Sequence, residues 1–246
     1  MKAVILGATS GMGRAIARLL AERGDAVFVL GIGDDELTRT AADLTARHPT
    51  NAAARWAVCD LERPETFAPA LDAADEALGG FDTVVVTAAL FATQDRLEAD
   101  LEFTRRMLTV NYAHTVLFCE HARRRLLSRG GGRLAVFSSV AGDRGRKPVA
   151  LYGSGKAGLT HYLESLDHKH HAEGLSVLCV KPGFVKTSMT DGLKPPPFAG
   201  EPTQVARDVV RALDRRRPVL YTPGMWALVM LVIRWLPRFV MRKIGF

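Results

Sequence analysis

The stretch AVILGATSGMG, residues 3–13, decides the fold of this 246-residue chain. Four apolar residues suited to a buried strand come first, and three glycines spaced GxxxGxG follow them. Gly7 permits a tight turn, Gly11 lets backbone N–H groups approach a pyrophosphate, and Gly13 allows the next helix to pack closely on the strand. The amino terminus of that helix attracts phosphate through its partial positive charge. The stretch therefore predicts a strand–turn–helix unit that binds a dinucleotide.

The rest of the chain continues as alternating strands and helices. Short, nearly continuous apolar runs predict strands at residues 3–6, 26–30, 55–59, 83–87, 134–138 and 176–180. Segments with helical periodicity or helical length predict helices at residues 13–23, 35–47, 64–78, 97–127 and 152–171. This order predicts an α/β fold with a doubly wound parallel sheet in a single domain. A TIM barrel has a similar length, but the sequence contains only six or seven strands.

Composition and charge narrow the class of protein. With 48% hydrophobic and 24% charged residues the chain is an ordinary globular protein, which excludes global disorder, collagen-like repeats and a disulfide scaffold. The net charge of +7 is compatible with nucleic acid, an anionic membrane surface or phosphorylated small molecules as partners. Because no nucleic-acid-binding module is recognisable, we do not expect nucleic acid to be a partner.

The start of the chain and the cysteines predict that the protein is located in the cytoplasm. The apolar run after Met1 is too short for the core of a signal peptide. Cys59, Cys119 and Cys179 lie far apart in apolar stretches without metal-ligand spacing, so we expect reduced packing cysteines and no metal site. No uncharged apolar segment reaches 18 residues, so we do not expect a membrane-spanning helix.

The end of the second predicted strand leaves the choice between NAD and NADP open. An acidic residue there would favour the NAD ribose and an arginine the NADP phosphate, but the strand ends in Gly31, Ile32 and Gly33. Asp34 and Asp35 follow slightly late, and we interpret them as the N-cap and first-turn residues of the next helix.

A tyrosine and a lysine in the second half of the chain form a candidate proton-transfer pair. Tyr152 and Lys156 are four residues apart, which places them on one helical face. A lysine cation beside a phenol favours the phenolate, so we expect the pKa of Tyr152 to fall from about 10 towards neutral. A tyrosine with such a pKa serves as a proton donor and acceptor.

These motifs resemble the short-chain dehydrogenase/reductase family over nearly the whole chain. Ser139 precedes Tyr152 by thirteen residues, and the amino-terminal GxxxGxG completes the pattern. The resemblance implies a Rossmann fold, an NAD(P)(H) cofactor and hydride transfer to or from a carbonyl or alcohol. The sequence departs from the family pattern at Leu6, where threonine is usual, and at Thr87-Ala88-Ala89, where Asn-Ala-Gly is common.

The resemblance also implies a role for each matching position. Tyr152 would be the general acid/base, Lys156 would lower its pKa and hold the nicotinamide ribose, and Ser139 would bind the substrate oxygen. Asn111 would hold a water in the proton relay, and Asp60 would contact adenine. Besides Tyr152 and Lys156, the expected cofactor-binding residues are Gly7, Thr9, Ser10, Gly11, Met12, Gly13, Gly31, Asp60, Leu61, Ala88, Pro182, Gly183, Val185 and Thr187.

The segments around Ser139 and Tyr152 and the carboxyl-terminal part are similar to a bacterial subgroup that includes decaprenylphosphoryl-2-keto-ribose reductases. That similarity implies a lipid-linked or amphiphilic keto compound, such as a keto sugar, which Arg144 and Arg146 would contact. A soluble small ketone, a steroid or an acyl-thioester is the alternative substrate. A catalytically silent dinucleotide-binding sensor or scaffold is the alternative from another functional class. Family members commonly form oligomers, so a homodimer or homotetramer is expected.

The carboxyl-terminal segment carries much of the positive charge. Residues 225–246 hold Arg234, Arg238, Arg242 and Lys243 and no acid, within an otherwise apolar stretch interrupted by Pro237. We therefore divide the chain into a dinucleotide-binding domain at 1–224 and an apolar, basic segment at 225–246. The composition of this segment suits contact with an anionic membrane surface at the inner face of the membrane. Docking on the substrate cleft or on another subunit is the alternative.

Overall fold

The computed structural model describes residues 1–196 and 198–245, and it contains a central parallel sheet between two layers of helices. The strands are β1 (Lys2–Leu6), β2 (Ala26–Gly31), β3 (Arg55–Val58), β4 (Thr83–Val86), β5 (Gly132–Phe137), β6 (Leu175–Pro182) and β7 (Val219–Thr222). The helices are α1 (Gly11–Glu22), α2 (Asp34–Arg47), α3 (Phe67–Leu78), α4 (Gln94–Ala99), α5 (Leu101–Leu108), α6 (Thr115–Leu127), α7 (Ala150–His170), α8 (Pro202–Asp214), α9 (Met225–Trp235) and α10 (Arg238–Lys243).

The sheet has the strand order β3-β2-β1-β4-β5-β6-β7, and all neighbouring strands pair in parallel. The predicted doubly wound sheet is therefore confirmed, and β7 adds a strand at one edge. The order reverses between β1 and β4, and ligands of such sheets bind at the carboxyl ends of the strands beside this point.

The alternation of side chains along each strand divides the core into two layers. Val4 and Leu6 of β1 pack on the side covered by α3, α6 and α7. Ala3 and Ile5 pack on the opposite side, against α1, α2 and α8. Since both faces of the sheet are buried, the strands consist of continuous apolar runs, which is the pattern that identified them in the sequence.

Two predicted helix boundaries were wrong. The segment 97–127 is not one helix, because it contains α4, α5, a π-helical turn at Thr109–His114 and α6. Asp100 caps α5 by accepting a hydrogen bond from the Phe103 N–H at 2.9 Å, which starts a new helix there. Helix α2 begins at Asp34 with Gly33 as its N-cap, so Asp34 and Asp35 lie in the first turn and neither is the cap.

The carboxyl-terminal segment forms two short helices separated at Pro237. Met230 and Ile233 of α9 are buried against Val140, which follows Ser139 in the chain. Within the described ranges no helix has both the length and the apolar character needed to cross a bilayer.

Candidate active site

The glycine-rich turn after β1 forms a cradle in which Gly7 and Gly13 leave no room for a Cβ atom. Gly7 and Gly11 have positive φ values of 92° and 48°, and α1 begins at Gly11. A Cβ atom at Gly13 would lie 2.2 Å from the Gly7 carbonyl oxygen. The Thr87 hydroxyl holds the turn from the end of β4 by donating to the carbonyl oxygens of Leu6 and Gly7, both at 3.1 Å. Thr87 therefore has a structural role that sequence reasoning missed, although it was noted there as a departure from the family pattern.

We expect Gly13→Ala to weaken binding of a nicotinamide dinucleotide by at least about tenfold, because the added methyl group must displace the Gly7 backbone from the cradle. Fluorescence titration with NADH and NADPH measures the affinity. Gly145→Ala is the matched control, since a Cβ there meets no atom within 4 Å. Equal affinities of the two variants would contradict the assigned function of the cradle.

A cavity of about 260 Å³, called here the cofactor cavity, extends from the cradle across the ends of β1, β2 and β4. It brings together most of the predicted cofactor-binding residues, namely Gly7, Thr9, Ser10, Gly11, Met12, Gly13, Gly31, Asp60, Leu61, Ala88 and Thr187. The glycine cradle and the adjoining helix amino terminus fit a dinucleotide pyrophosphate. Ile32, which is 62% exposed, lines the cavity at the end of β2. This apolar side chain stands near the position where a carboxylate or an arginine would distinguish NAD from NADP.

A second cavity of about 360 Å³, called here the cleft, adjoins the cofactor cavity and shares Met12 and Thr187 with it. Ser139, which follows β5, and Tyr152 and Lys156, which lie on α7, all line the cleft. The other predicted residues in its wall are Pro182, Gly183, Val185 and Arg146. Most of the remaining wall is apolar, including Phe91, Val140, Phe184 and Trp226.

Local structure fixes the positions of Ser139, Tyr152 and Lys156. Ser139 lies just after β5 and caps a short 3₁₀ turn, with its hydroxyl accepting from the Ala141 N–H at 3.1 Å. Tyr152 and Lys156 lie one turn apart on α7. The ammonium group of Lys156 donates to the Phe137 carbonyl at 2.8 Å and lies 5.8 Å from the centre of the Tyr152 ring. The Phe91 ring contacts the Tyr152 ring edge-on, with 5.1 Å between the centroids.

The pKa of Tyr152 is raised to about 12, so the expected lowering by Lys156 was wrong for this structure. Burial is the larger cause, and the hydrogen bond with Ser139 acts against it. Burial also lowers the pKa of Lys156 to about 8, which reduces the charge that the lysine presents to the phenol at alkaline pH. Sequence spacing placed the two groups on one helical face, but desolvation is the largest influence on the pKa of each.

The lowered pKa of Lys156 makes stability depend on pH in a specific direction. Above about pH 8 the folded protein loses this proton, whereas the unfolded chain keeps it up to about pH 10.5, so the contribution of Lys156 to stability rises with pH. We expect the free energy of unfolding of the wild type, minus that of Lys156→Met, to increase between about pH 7.5 and about pH 9.5. Urea denaturation of both proteins at several pH values measures this difference in the free energy of unfolding. The buried cysteines, whose pKa values are raised, make the free energy of unfolding fall with pH. They are present in both proteins, so their effect cancels in the difference. A difference that stays constant or falls would refute the lowered pKa.

Asn111 is buried beside the cleft but is not among the residues in its wall. Its side chain lies in the π-helical turn and forms two hydrogen bonds with Leu90. The Oδ1 atom accepts from the Leu90 N–H at 2.8 Å, and Nδ2 donates to the Leu90 carbonyl at 2.7 Å. Asn111 therefore fixes the loop after β4, and its part in a proton relay stays a prediction.

The two arginines expected at the substrate occupy different positions. Arg146 lines the cleft, as expected. Arg144 does not, because its guanidinium donates to the Leu236 carbonyl at 2.8 Å, at the carboxyl end of α9. A cation is favourable at a helix carboxyl terminus, so Arg144 holds α9 in place.

A buried charged cluster behind the cleft was missed by sequence reasoning. Lys181 of β6 donates to Asp143 Oδ1 at 2.6 Å, and the hydroxyl of Tyr221 on β7 donates to Asp143 Oδ2 at 2.6 Å. The Lys181 and Asp143 side chains are 8% and 2% exposed. A lysine within the apolar run of β6 was the available sequence signal, because a charge in a buried strand requires a partner.

Comparison with known proteins agrees with this geometry. The short chain dehydrogenase family matches residues 1–196. An uncharacterized oxidoreductase of Mycobacterium tuberculosis is 33% identical over 242 residues, 98% of this chain and 95% of that protein. The cis-4-hydroxycyclohexanecarboxylate dehydrogenase of Sinomonas cyclohexanicum is 31% identical over 220 residues, 88% of this chain and 85% of that protein.

A solved structure shares the fold over nearly the full length of both chains. The short-chain type dehydrogenase/reductase from Mycobacterium ulcerans has a TM-score of 0.81 at 23% identity, covering 98% of this chain and 97% of that one. The family match and the full-length relatives show that this chain is an oxidoreductase of the short-chain dehydrogenase/reductase family.

Proposed function

We propose that the protein transfers a hydride between a nicotinamide dinucleotide and a ketone or secondary alcohol. The observation that carries the proposal is the convergence of Ser139, Tyr152 and Lys156 in one cleft that adjoins the glycine cradle. The family and the fold imply a nicotinamide cofactor, either NAD or NADP. When bound, this cofactor supplies or accepts the hydride.

The side chains of the cleft would handle the proton and the substrate oxygen. Tyr152, with its pKa raised to about 12, is a neutral phenol at pH 7 and can donate its proton to the oxygen of a ketone during reduction. The Ser139 hydroxyl, which is hydrogen-bonded to Tyr152, orients the same oxygen. Lys156 lines the cleft beside the phenol, where it would bind the ribose and favour the phenolate formed after proton donation.

For the substrate, we propose an amphiphilic keto compound or alcohol, such as a lipid-linked keto sugar. The apolar wall of the cleft suits a hydrophobic body, and Arg146 adds a cation to that wall. The name of the Sinomonas relative describes such a combination, a secondary alcohol on an apolar ring with a carboxylate. A soluble small ketone, a steroid or an acyl-thioester is the alternative.

Two ketones that share one ring and differ by a carboxylate group test this proposal. We expect oxidation of NADH or NADPH with 4-oxocyclohexanecarboxylate to show a kcat/KM at least about tenfold above that with cyclohexanone, because only the former can contact Arg146. Arg146→Gln should remove this preference, and Arg39→Gln, at an exposed site outside the cleft, should keep it. Cofactor binding without turnover on any ketone would instead support a dinucleotide-binding sensor or scaffold.

We also propose that the carboxyl-terminal helices contact the cytoplasmic face of an anionic membrane. Large apolar side chains project from α9 opposite its buried face, with Trp235 82% exposed, and Phe239 of α10 is 65% exposed. Exposed arginines lie beside them, as in helices at a membrane interface. Flotation with phosphatidylglycerol vesicles should be lost in Trp235→Ser/Phe239→Ser and kept in Leu101→Ser, which removes an exposed leucine from α5. Equal flotation of the two variants would exclude this surface.

For the assembly, we propose a homodimer or homotetramer that pairs through α6 and α7. Members of the family commonly form oligomers, and Leu117 of α6 and the neighbouring Tyr112 are exposed. Light scattering of the purified protein measures the mass, and a monomer at micromolar concentration would refute the proposal.

A further inference from the structure

A third cavity, next to the cleft, is lined by five cationic side chains. It has a volume of about 390 Å³ and is called here the cationic cavity. Arg144, Arg146 and Lys147 come from the loop after β5, and Arg238 and Arg242 come from α10. Met241 and Ile244 supply its apolar wall, and none of the described lining residues is acidic. Arg146 lines both this cavity and the cleft, so the two spaces meet at its side chain.

Another arginine-rich cavity of the protein lacks this excess of charge. The cavity beside α1 is lined by Glu22 and four arginines, of which Arg14, Arg18 and Arg47 pair with nearby acids. Arg18 lies 2.7 Å from Asp43, and Arg47 lies 2.6 Å from Glu22. Most of the positive charge there is therefore compensated within the protein.

Four of the five cations in the cationic cavity differ from those arginines. Over residues 1–196 and 198–245, Arg144, Lys147, Arg238 and Arg242 form no ion pair with an acidic side chain. Asp143, the adjacent acid in the loop, is bound to Lys181 and Tyr221. Several cations gathered without an acid repel one another, and a bound anion would relieve that repulsion.

The backbone contacts of the loop hold these cations in fixed positions. Arg144 donates to the Leu236 carbonyl at 2.8 Å, and Lys147 donates to the Arg242 carbonyl at 2.7 Å. Each contact uses one donor of a side chain that carries several, so further N–H groups are left for a ligand. Arg238 and Arg242 are four residues apart on α10 and therefore lie on one face of the helix.

We propose that the cationic cavity binds a phosphate or diphosphate group. A carboxylate carries a single charge, whereas a phosphate ester carries up to two and offers three oxygens, which suits several arginines arranged around one space. Because Arg146 joins the cavity to the cleft, the phosphate belongs to a ligand whose apolar or keto-bearing part reaches the cleft. This last step rests on the proposed function, whereas binding of phosphate in the cavity does not.

Inorganic pyrophosphate is the probe for the site. We expect calorimetry to show that Arg238→Gln/Arg242→Gln binds pyrophosphate at least about tenfold more weakly than the wild type. The control Arg215→Gln/Arg217→Gln removes the same charge from an exposed arginine run and should bind like the wild type. Pyrophosphate can also bind at the glycine cradle, so the difference between the two double variants is the measurement.

A second variant leaves all five cations in place. Gly145→Asp puts a carboxylate into the cavity, where a Cβ meets no atom within 4 Å, and should weaken pyrophosphate binding as strongly as the double variant. Gly145→Asn, of nearly the same size, should retain it. A weakening in Gly145→Asn equal to that in Gly145→Asp would show a steric effect and overturn the assignment.

Vesicles distinguish the source of the phosphate. Pyrophosphate binding that depends on Arg238 and Arg242 assigns the cavity to a soluble phosphate ester. Binding only to phosphatidylglycerol vesicles, with the same dependence, assigns it to a lipid headgroup. If Arg238→Gln/Arg242→Gln and its control double variant bind pyrophosphate equally and also bind the vesicles equally, the proposal is overturned. Ketone reduction is measured separately, so a protein that binds phosphate but reduces no ketone refutes the proposed function and leaves the phosphate site standing.

Discussion

Replacement of Tyr152 by phenylalanine is expected to lower kcat by roughly 10²–10⁴-fold while leaving cofactor affinity within about threefold. The substitution removes only the hydroxyl that would exchange the proton with the substrate oxygen. The ring that contacts Phe91 edge-on stays in place, so the cleft should keep its shape. A loss confined to kcat would place the hydroxyl in the chemical step rather than in binding.

Tyr162→Phe is the matched control for this experiment. Tyr162 also lies on α7, but its hydroxyl donates to Glu120 at 2.8 Å, away from the cleft. Steady-state kinetics with NADH or NADPH and a reducible ketone compare the two variants, and fluorescence titration reports cofactor binding. Full turnover by Tyr152→Phe on such a ketone would falsify the proposed mechanism.

Replacement of Lys181 by methionine is expected to lower the free energy of unfolding by about 3–5 kcal/mol, because it leaves the Asp143 carboxylate buried without its cation. For a chain of this size the melting temperature should fall by roughly 10 °C. The burial of Lys181 disfavours its charge, but Asp143 more than compensates, and the pKa of the lysine is raised. Guanidinium denaturation or calorimetry measures the loss.

Two further variants separate loss of the ion pair from loss of contacts. Tyr221→Phe removes one hydrogen bond to Asp143 and should cost about 1–3 kcal/mol. Lys181→Met/Asp143→Leu removes both charges, and it should recover much of the stability because no buried ion is left unpaired. A loss below about 1 kcal/mol in Lys181→Met would show that the pair does not anchor the loop.

The ion pair between Asp143 and Lys181 also affects the position of residues that line the cleft. Asp143 belongs to the loop that carries Ser139 at one end and Arg146 at the other, and Lys181 lies on β6 just before the cleft residue Pro182. The ion pair thus joins the loop to the sheet. We expect Lys181→Met to displace both Ser139 and the wall that the cleft shares with the cationic cavity.

Much of the fold was predictable because its signals are local. A continuous apolar strand, a glycine turn and a helix each depend on residues close together in the chain, so β1, the cradle and α1 were identified correctly. The spacing of Tyr152 and Lys156 is equally local, because four residues make about one helical turn. The predicted helix at 97–127 failed for the opposite reason, since the cap at Asp100 and the π-helical turn around Asn111 interrupt an otherwise helical pattern.

The sequence by itself determined the parallel sheet, the glycine cradle and the spacing of Tyr152 and Lys156, because periodicity and spacing act over short stretches of chain. Only the tertiary structure decided the pKa of Tyr152, the bonds of Arg144 to α9 and of Asn111 to Leu90, and the cluster of Asp143, Lys181 and Tyr221. These properties depend on burial and on partners distant in the chain. Solvation and hydrogen bonding of a side chain are set by whichever groups the fold brings around it, and spacing along the sequence carries no measure of either.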